Sequence, residues 1–469
     1  MDNTEAKHGP VTIMNMIYEI SAGDTAWVLT SAALVLLMTP GLALFYGGMV
    51  RAKGVLNMMM MSFITMGTIG VLWVLYGYSM AFGNSIGGAG ILGNPFEFIG
   101  LNGLMSEDAT AGTLPAMAFV AFQACFAIIA VALVSGAIAD RATFKGWTLF
   151  TILWGTFVYF PAAHWVFAFS SEDGSVVGGW IANQVKAIDF AGGTAIHINA
   201  GAAALALALV LGPRLEFGSR PMRPHNMTMV MLGAALLWFG WFGFNAGSAV
   251  AANTTAGVAW VNTLAATSAA LCAWLIVEVF RDGHPTSLGA ASGIVAGLVG
   301  ITPAAGSVSP LGALVIGAVA GVACAYAVGL KNLFGYDDSL DVVGVHLVGG
   351  MVGTLLIGLL ADPDSPAGVA GLFYGGGVDQ LWRQAVGAFA VLVYSFIVSW
   401  VIGTAIHKTI GFRVTPAEEL SGIDLVEHSE VGYDFSPVYY SALGSGVRRS
   451  LLLDASHLPE SELNAEEAQ

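Results

Sequence analysis

Long stretches without a charged side chain dominate the sequence. Nine of them contain no Asp, Glu, Lys or Arg over at least 20 residues, and roughly 20 apolar residues are what a helix needs to cross a bilayer. These stretches are 25–50, 54–96, 109–139, 146–171, 190–213, 224–277, 283–330, 342–361 and 384–407. The pattern predicts a polytopic membrane protein.

Breaks within the longest stretches set the number of helices. The stretch 224–277 is interrupted at Asn253 and 283–330 at Pro303, so each provides two helices. The second part of 54–96 is rich in glycine and predicts a loop, so this stretch provides one helix. Seven stretches that provide one helix each and two stretches that provide two helices each predict an all-α fold with eleven transmembrane helices.

The distribution of basic residues predicts the orientation. With eleven helices the two termini lie on opposite sides of the membrane. If the N-terminus is outside, thirteen of the sixteen Lys and Arg residues fall in inside segments, and only Lys7, Lys186 and Arg383 remain outside. Inside segments of membrane proteins carry such an excess, so we expect the N-terminus outside and the C-terminus in the cytoplasm.

This topology divides the chain into three parts. Residues 1–24 form an extracytoplasmic N-terminal segment, and residues 25–408 form the eleven-helix membrane domain. Residues 409–469 form a cytoplasmic tail, of which 436–469 is an acidic extension that we predict to be disordered.

Composition excludes several classes of protein. Only 10% of the residues are charged, against about 25% in an ordinary soluble domain, so a soluble enzyme is excluded. The formal net charge of −15 argues against binding of nucleic acid, which needs a basic face. The three cysteines lie in apolar stretches and are unsuited to a disulfide framework or a metal cluster.

Two histidines lie within predicted membrane helices, where an ionisable group is costly and by default functional. His197 follows Asp189 and His346 follows Asp341, each by one or two helical turns. The two segments are five helices apart and run in opposite directions, which indicates an inverted repeat of spans 1–5 and 6–10. Such repeats place their site where the repeats meet, near the middle of the membrane.

Each of these side chains has more than one interpretation. The histidines are either hydrogen-bonded packing residues or pore-lining imidazoles that bind a small polar permeant or relay a proton. A metal site is disfavoured, because no carboxylate or cysteine lies at ligand spacing beside them. The aspartates are either helix N-caps or a cation site. Capping fits Asp341 well, and for Asp189 we favour an indirect electrostatic and structural role.

Aromatic side chains form a third group. Phe122 and Phe126 share one helix face, and glycines beside the other rings favour a lined cavity. A phenylalanine stripe is often only packing surface, but ring faces with a hydroxyl also hold a cation that lacks a charged partner. The remaining members are Trp241, Phe244 and Ser248 in the sixth span and Phe167 at the end of the fourth.

Together these segments resemble the ammonium transporter family (the Amt/Mep/Rh proteins), and in particular its bacterial Amt type. The match runs from about Asp24 to Tyr433 with eleven spans. Its most specific pieces are 189–194 (DFAGGT) with His197, 240–248 (GWFGFNAGS), 341–346 (DVVGVH) and 40–48 (PGLALFYGG).

The resemblance implies an ammonium transporter of the plasma membrane. It implies that NH4+ is recruited at an outer aromatic vestibule, loses its proton, and crosses as NH3, with or without separate transfer of H+. Methylammonium is expected as an analogue, and no cofactor, metal or enzymatic activity is implied. Carried over by position, recruitment belongs to Phe126, Phe167, Ser248 and Asp189, the gate and pore lining to Phe122, Phe244 and Trp241, and the pore and proton relay to His197 and His346.

The resemblance also implies partners. The family forms homotrimers with one pore in each subunit, and residues 422–433 resemble its cytoplasmic segment that meets a PII signalling protein. The regulatory part of the tail is therefore expected within about 409–435.

One position departs from the family pattern. Many members have tryptophan where this chain has Phe167, and a phenyl face holds a cation less well than an indole face. The neighbouring Trp165 is not expected to replace it, because adjacent helical residues point roughly 100° apart.

Three other functions compete with ammonium transport. An ammonium sensor of the same fold with little net transport is the nearest. A membrane-embedded enzyme would need a nucleophile–base pair or a metal set within the spans. An ion channel is disfavoured, because neither a ring of acidic side chains nor a carbonyl filter motif is present.

Overall fold

The computed structural model describes residues 19–219 and 222–433. Residues up to Glu430 belong to one compact unit, and a second unit begins at Val431. Most of the predicted N-terminal segment 1–24 and all of the acidic extension 436–469 lie outside the described residues. Apart from a short ribbon of Thr110–Ala111 and Leu114–Pro115, the regular structure of the described chain is helical.

Ten helices of the described chain are long and apolar enough to cross a membrane, and Ser287–Ile301 is a shorter apolar helix. We number these eleven helices in chain order. They are α1 (Ala22–Met49), α2 (Ala52–Phe82), α3 (Ala116–Ile138), α4 (Phe144–Phe167), α5 (Gly193–Leu211), α6 (Met227–Gly247), α7 (Thr254–Asp282), α8 (Ser287–Ile301), α9 (Pro310–Phe334), α10 (Val343–Leu360) and α11 (Asp379–Thr409). The predicted all-α membrane fold and its eleven helices are confirmed.

Side-chain caps fix where several of these helices begin. Asn226, Asn253, Thr286 and Ser309 precede α6 to α9, and each accepts a hydrogen bond from a backbone N–H of the first turn. Such caps satisfy donors that have no partner inside the helix. Asn253 therefore ends the break that separates α6 from α7, which is where the sequence predicts it.

Helices α5 and α10 are built alike and cross closely. Each begins with a π-helical segment, Gly193–Ile198 in α5 and Val343–Leu347 in α10. Glycines bring the two backbones together, because a Cβ atom on Gly201 would lie 2.5 Å from the backbone nitrogen of Leu347. π-Helical turns occur frequently at functional sites, and these two carry the membrane histidines.

The beginning of the tail folds against the bundle as two short helices, α12 (Pro416–Ser421) and α13 (Ile423–His428). The Asp424 carboxylate accepts hydrogen bonds from the backbone N–H groups of Leu56 (3.0 Å) and Asn57 (2.8 Å). Glu427 accepts one from the backbone N–H of Phe144 (2.9 Å). The carboxylates of the tail thus cap the starts of α2 and α4, although these helices lie far earlier in the chain.

Candidate functional site

A cavity of about 460 Å³ opens at one end of the bundle, and we call it the vestibule cavity. It is lined by four of the predicted site residues, Phe126, Phe167, Asp189 and Ser248. Lys186 is the basic side chain of its lining. The structure thus brings the whole predicted recruitment group together from α3, α4, the segment before α5 and the end of α6.

Asp189 caps the first turn of α5. One carboxylate oxygen accepts hydrogen bonds from the backbone N–H groups of Gly192 and Gly193, at 2.8 and 2.7 Å. The other accepts from Thr194 and Ala195, at 2.8 and 3.1 Å. Gly192 has φ +118°, a conformation that favours glycine. The carboxylate therefore brings a fixed negative charge to the vestibule wall.

Aromatic rings close the vestibule cavity toward the interior. The ring centroids of Phe126 and Phe244 are 4.5 Å apart, and those of Phe122 and Phe126 are 4.7 Å apart. Phe122 and Phe244 are fully buried, and Phe126 is 2% exposed. Phe126 thus lies between Phe122 and Phe244, the two phenylalanines that the resemblance assigns to the gate. Phe126 therefore lines the cavity and also closes it.

Beyond these rings the two membrane histidines meet. The Nδ1 atoms of His197 and His346 are 3.3 Å apart, and their ring centroids are 5.3 Å apart. The Trp241 ring stacks on His197 with a centroid distance of 5.4 Å, and its indole N–H donates to Thr302 (2.9 Å). The Trp241, Phe244 and histidine side chains line a narrow cavity of about 10 Å³ with apolar neighbours, about the space of one water molecule.

The hydrogen bond between the histidines constrains their protonation. When both rings are neutral, one Nδ1 carries the shared proton and the other accepts it. The Nε2 atom of His197 is buried and has no hydrogen-bond partner among the described residues. The pair therefore offers a polar atom to a small permeant inside an otherwise apolar passage.

The expectation that Asp341 caps α10 is wrong. Asp341 has φ +64° and forms an ion pair with Lys331, with 2.6 Å between Nζ and Oδ1. Asp338 takes the capping role, and its carboxylate accepts hydrogen bonds from the backbone N–H groups of Val342 (3.1 Å) and Val343 (2.7 Å). The sequence carried a signal for this, because Asp338 precedes His346 by eight residues, as Asp189 precedes His197.

Charged residues surround Asp338. Burial and the neighbouring Asp341 carboxylate raise the pKa of Asp338. Arg214 forms a two-pronged ion pair with Asp337, with both N–O distances at 2.8 Å. A second narrow cavity of about 10 Å³, lined by His346 and Asp341 among others, lies at this end of the passage.

Trp165 does not line the vestibule cavity. Its ring packs against Trp180 and Tyr394, with centroid distances of 5.8 and 4.6 Å, and its indole N–H donates to the carbonyl of Ile91 (2.6 Å). Phe167 therefore stands at the vestibule wall without help from this indole.

Metal ligands are not clustered in the described ranges. No group of three His, Cys, Asp or Glu side chains there is placed to hold a metal ion. Cys125, Cys272 and Cys324 are free thiols.

Comparison with known proteins identifies the family. The model of the Ammonium Transporter Family matches residues 26–433. An ammonium transporter of Mycobacterium bovis is 61% identical over 444 residues, covering 90% of this chain and 92% of the relative. One of Corynebacterium glutamicum is 45% identical over 410 residues, covering 87% and 89%.

Solved structures agree with this assignment. The crystal structure of Saccharomyces cerevisiae Mep2 superposes with a TM-score of 0.81 at 32% identity, covering 92% of this chain and 96% of Mep2. A structure described as a sensor Amt protein gives a TM-score of 0.80 at 28% identity, covering 87% and 98%. The chain belongs to the ammonium transporter family.

Proposed function

We propose that this protein recruits NH4+ in the vestibule cavity, removes its proton, and conducts NH3 past the two histidines. The observation that carries the proposal is the His197–His346 pair, with 3.3 Å between the Nδ1 atoms, in a narrow apolar passage directly beyond an aromatic cavity that contains the Asp189 carboxylate. As a member of this family, the chain is a multi-pass membrane protein, in bacteria of the plasma membrane, and is not an enzyme.

Recruitment of a cation fits the vestibule cavity. Phe126 and Phe167 offer ring faces to a cation, and the Ser248 hydroxyl offers an acceptor. Its own proton is donated to the Phe244 carbonyl (2.8 Å), which leaves the oxygen lone pairs for a ligand. The Asp189 carboxylate uses both oxygens for backbone N–H groups, so its role toward NH4+ is electrostatic.

Loss of the proton follows from the passage itself. The buried rings of Phe126 and Phe244 and the cavity of about 10 Å³ leave no room for a hydration shell. Moving a bare charge through such surroundings would cost many kcal/mol, whereas neutral ammonia exchanges hydrogen bonds with the imidazoles. Potassium has no proton to lose, so it is excluded.

The test is a transient-current measurement on proteoliposomes of the purified protein after an ammonium jump, with potassium as the control ion. His197→Ala is compared with His407→Ala, an exposed histidine outside the passage. We expect an ammonium current without a potassium current, and lost selectivity or flux in His197→Ala alone. An internal pH rise without current indicates conduction of ammonia gas.

A sensor with little net transport is the alternative, favoured by the similarity to the sensor Amt structure. It predicts neither current nor pH change in the same proteoliposomes. If ammonium binds directly to the protein without any flux, the proposal of transport would be replaced by the proposal of sensing.

The expected orientation belongs to this proposal. The vestibule cavity would face outside, and the end with Arg141, Arg214 and the tail would face the cytoplasm. Accessibility of a cysteine introduced at Ser219, on the latter side, to an impermeant thiol reagent in intact cells tests this. If the reagent added outside intact cells labels this cysteine, the orientation is the opposite of the one proposed.

We also propose a homotrimer and regulation by a PII protein, as the family resemblance implies. The contacts of Asp424 and Glu427 with the starts of α2 and α4 support a regulatory role for the tail near 409–435. Native mass spectrometry of the purified protein tests the trimer, and co-purification with PII at varied nucleotide concentration tests the partner.

A further inference from the structure

A second cavity lies beside the vestibule cavity. Its volume is about 520 Å³, within the range of roughly 300–1,000 Å³ that is typical of ligand pockets. We call it the side chamber. Phe119, Phe167, Phe169 and Val250 line both cavities and so form the partition between them.

The side chamber is walled by aromatic rings that support one another. The Tyr78 ring lies 5.4 Å from that of Phe82 and 6.0 Å from that of Phe98. Phe82 in turn lies edge-to-face with Phe119, at 5.0 Å. With Phe167 and Phe169 this gives six aromatic side chains around one space, an arrangement that suits the apolar groups and the positive charge of an organic ammonium ion.

Electrostatics favour a cation in this chamber. Its lining includes Glu97 and Glu172 and no basic side chain, whereas the vestibule lining includes Lys186. The sequence contains no Lys or Arg from residue 54 to 140 or from 146 to 185, the two segments that provide every lining residue except Val250. The charged side chains of the side-chamber lining are therefore both acidic, which favours a cation there.

Tyr78 adds a polar group to the lining of the chamber. The residue is 6% exposed, and its phenolic hydroxyl can donate a hydrogen bond to a polar group of a ligand or accept one from it.

We propose that the side chamber binds a bulky organic ammonium cation, which is too large for the narrow passage. The aromatic rings hold its apolar groups, and Glu97 and Glu172 balance its charge. Because Phe167 belongs to the shared partition, an occupant restrains this ring and weakens recruitment of NH4+ without occupying the vestibule cavity. The site is thus an inhibitory one for ammonium flux.

Direct binding tests this inference without any transport step, so its failure is distinguishable from failure of the proposed transport. The probe is benzyltrimethylammonium chloride, titrated calorimetrically into the purified full-length protein. The variants are the double change Glu97→Gln with Glu172→Gln, then Phe98→Leu. Glu107→Gln is the matched control, an exposed glutamate of the same loop outside both linings.

We expect wild type and Glu107→Gln to bind the probe equally, and the double glutamine variant to bind about tenfold more weakly. Glutamine keeps an acceptor for the backbone N–H of Asn84, which Glu97 now binds, so the fold is retained, as a thermal unfolding curve will check. The probe should raise the KM of methylammonium uptake more than it lowers the maximal rate, because it weakens recruitment at Phe167. No binding to wild type overturns the proposal, as does binding that Ser248→Ala abolishes and the chamber variants leave unchanged.

Discussion

At each end of the passage an aspartate caps the helix that carries a pore histidine, but the surroundings of the two aspartates differ. Asp189 and Asp338 each stand eight residues before a pore histidine and cap the helix that carries it. Asp189 receives four backbone N–H groups and borders a cavity of about 460 Å³. Asp338 receives two, beside a cavity of about 10 Å³ that Asp341 lines, and the Lys331–Asp341 ion pair adjoins it.

This difference indicates that the inverted repeat determines the helices of the passage, but not the side chains that surround each of its two ends. The capping carboxylates and histidines follow from the inverted repeat. The open vestibule end and the narrow, ion-paired end follow from the loops around them. We therefore expect substitutions at equivalent positions to have unequal effects.

The largest effect is expected for Asp189→Ala. It leaves four backbone N–H groups at a buried helix start without a partner, each costing about 1–3 kcal/mol. Thermal unfolding in detergent should show a severe loss of stability, and uptake of methylammonium should vanish. The exposed Asp173→Ala is the control and should behave as wild type. Normal stability in Asp189→Ala would remove the capping role.

A smaller loss is expected for Asp338→Ala, because only two N–H groups lose their acceptor. Its unfolding temperature should fall by about half as much as in Asp189→Ala. Asp341→Ala, at the position that does not cap, provides the comparison within the same loop. A larger loss in Asp341→Ala than in Asp338→Ala would contradict the assignment of the cap.

Phe167→Trp tests how strongly the vestibule end of the passage binds NH4+. An indole face at this wall should bind NH4+ more strongly by about 0.5–1 kcal/mol, which lowers KM for methylammonium uptake about two- to fivefold. Trp165→Phe should leave KM unchanged, because this side chain packs away from the cavity. A change of KM in Trp165→Phe alone would place the recruiting indole there.

The smallest effect is expected for Lys331→Gln at the opposite end. It removes an ion pair whose side chains are 18% and 20% exposed, and such partly exposed pairs contribute about 0.2–1 kcal/mol. Unfolding should shift slightly and uptake should stay near the wild-type rate, as in the exposed control Lys408→Gln. A loss of uptake comparable to that of His197→Ala would give Lys331 a direct role in the passage.

The helices were predictable because membrane spans are a local property. An apolar stretch of sufficient length becomes a helix wherever it lies, so the eleven spans and the break at Asn253 follow from the pattern alone. The site residues carried local signals as well, because an ionisable group in such a stretch stands out.

Contacts between helices were not predictable in the same way. Phe122 and Phe126 share a helix face in sequence, and only the packing of α3 against α6 decides that Phe126 meets Phe244. Asp338 and Asp341 lie three residues apart, and the left-handed backbone at Asp341 turns its carboxylate to Lys331. Both outcomes depend on how helices and loops pack against one another, which residue spacing alone does not determine.

The sequence by itself determined the membrane fold, the family and the residue types of the passage, because hydrophobic length and buried polar groups are encoded position by position. The tertiary structure decided which oxygen caps which helix, which ring closes the vestibule cavity, and that a second aromatic chamber adjoins it. These features arise where segments far apart in the chain meet, and their geometry exists only once the helices have packed.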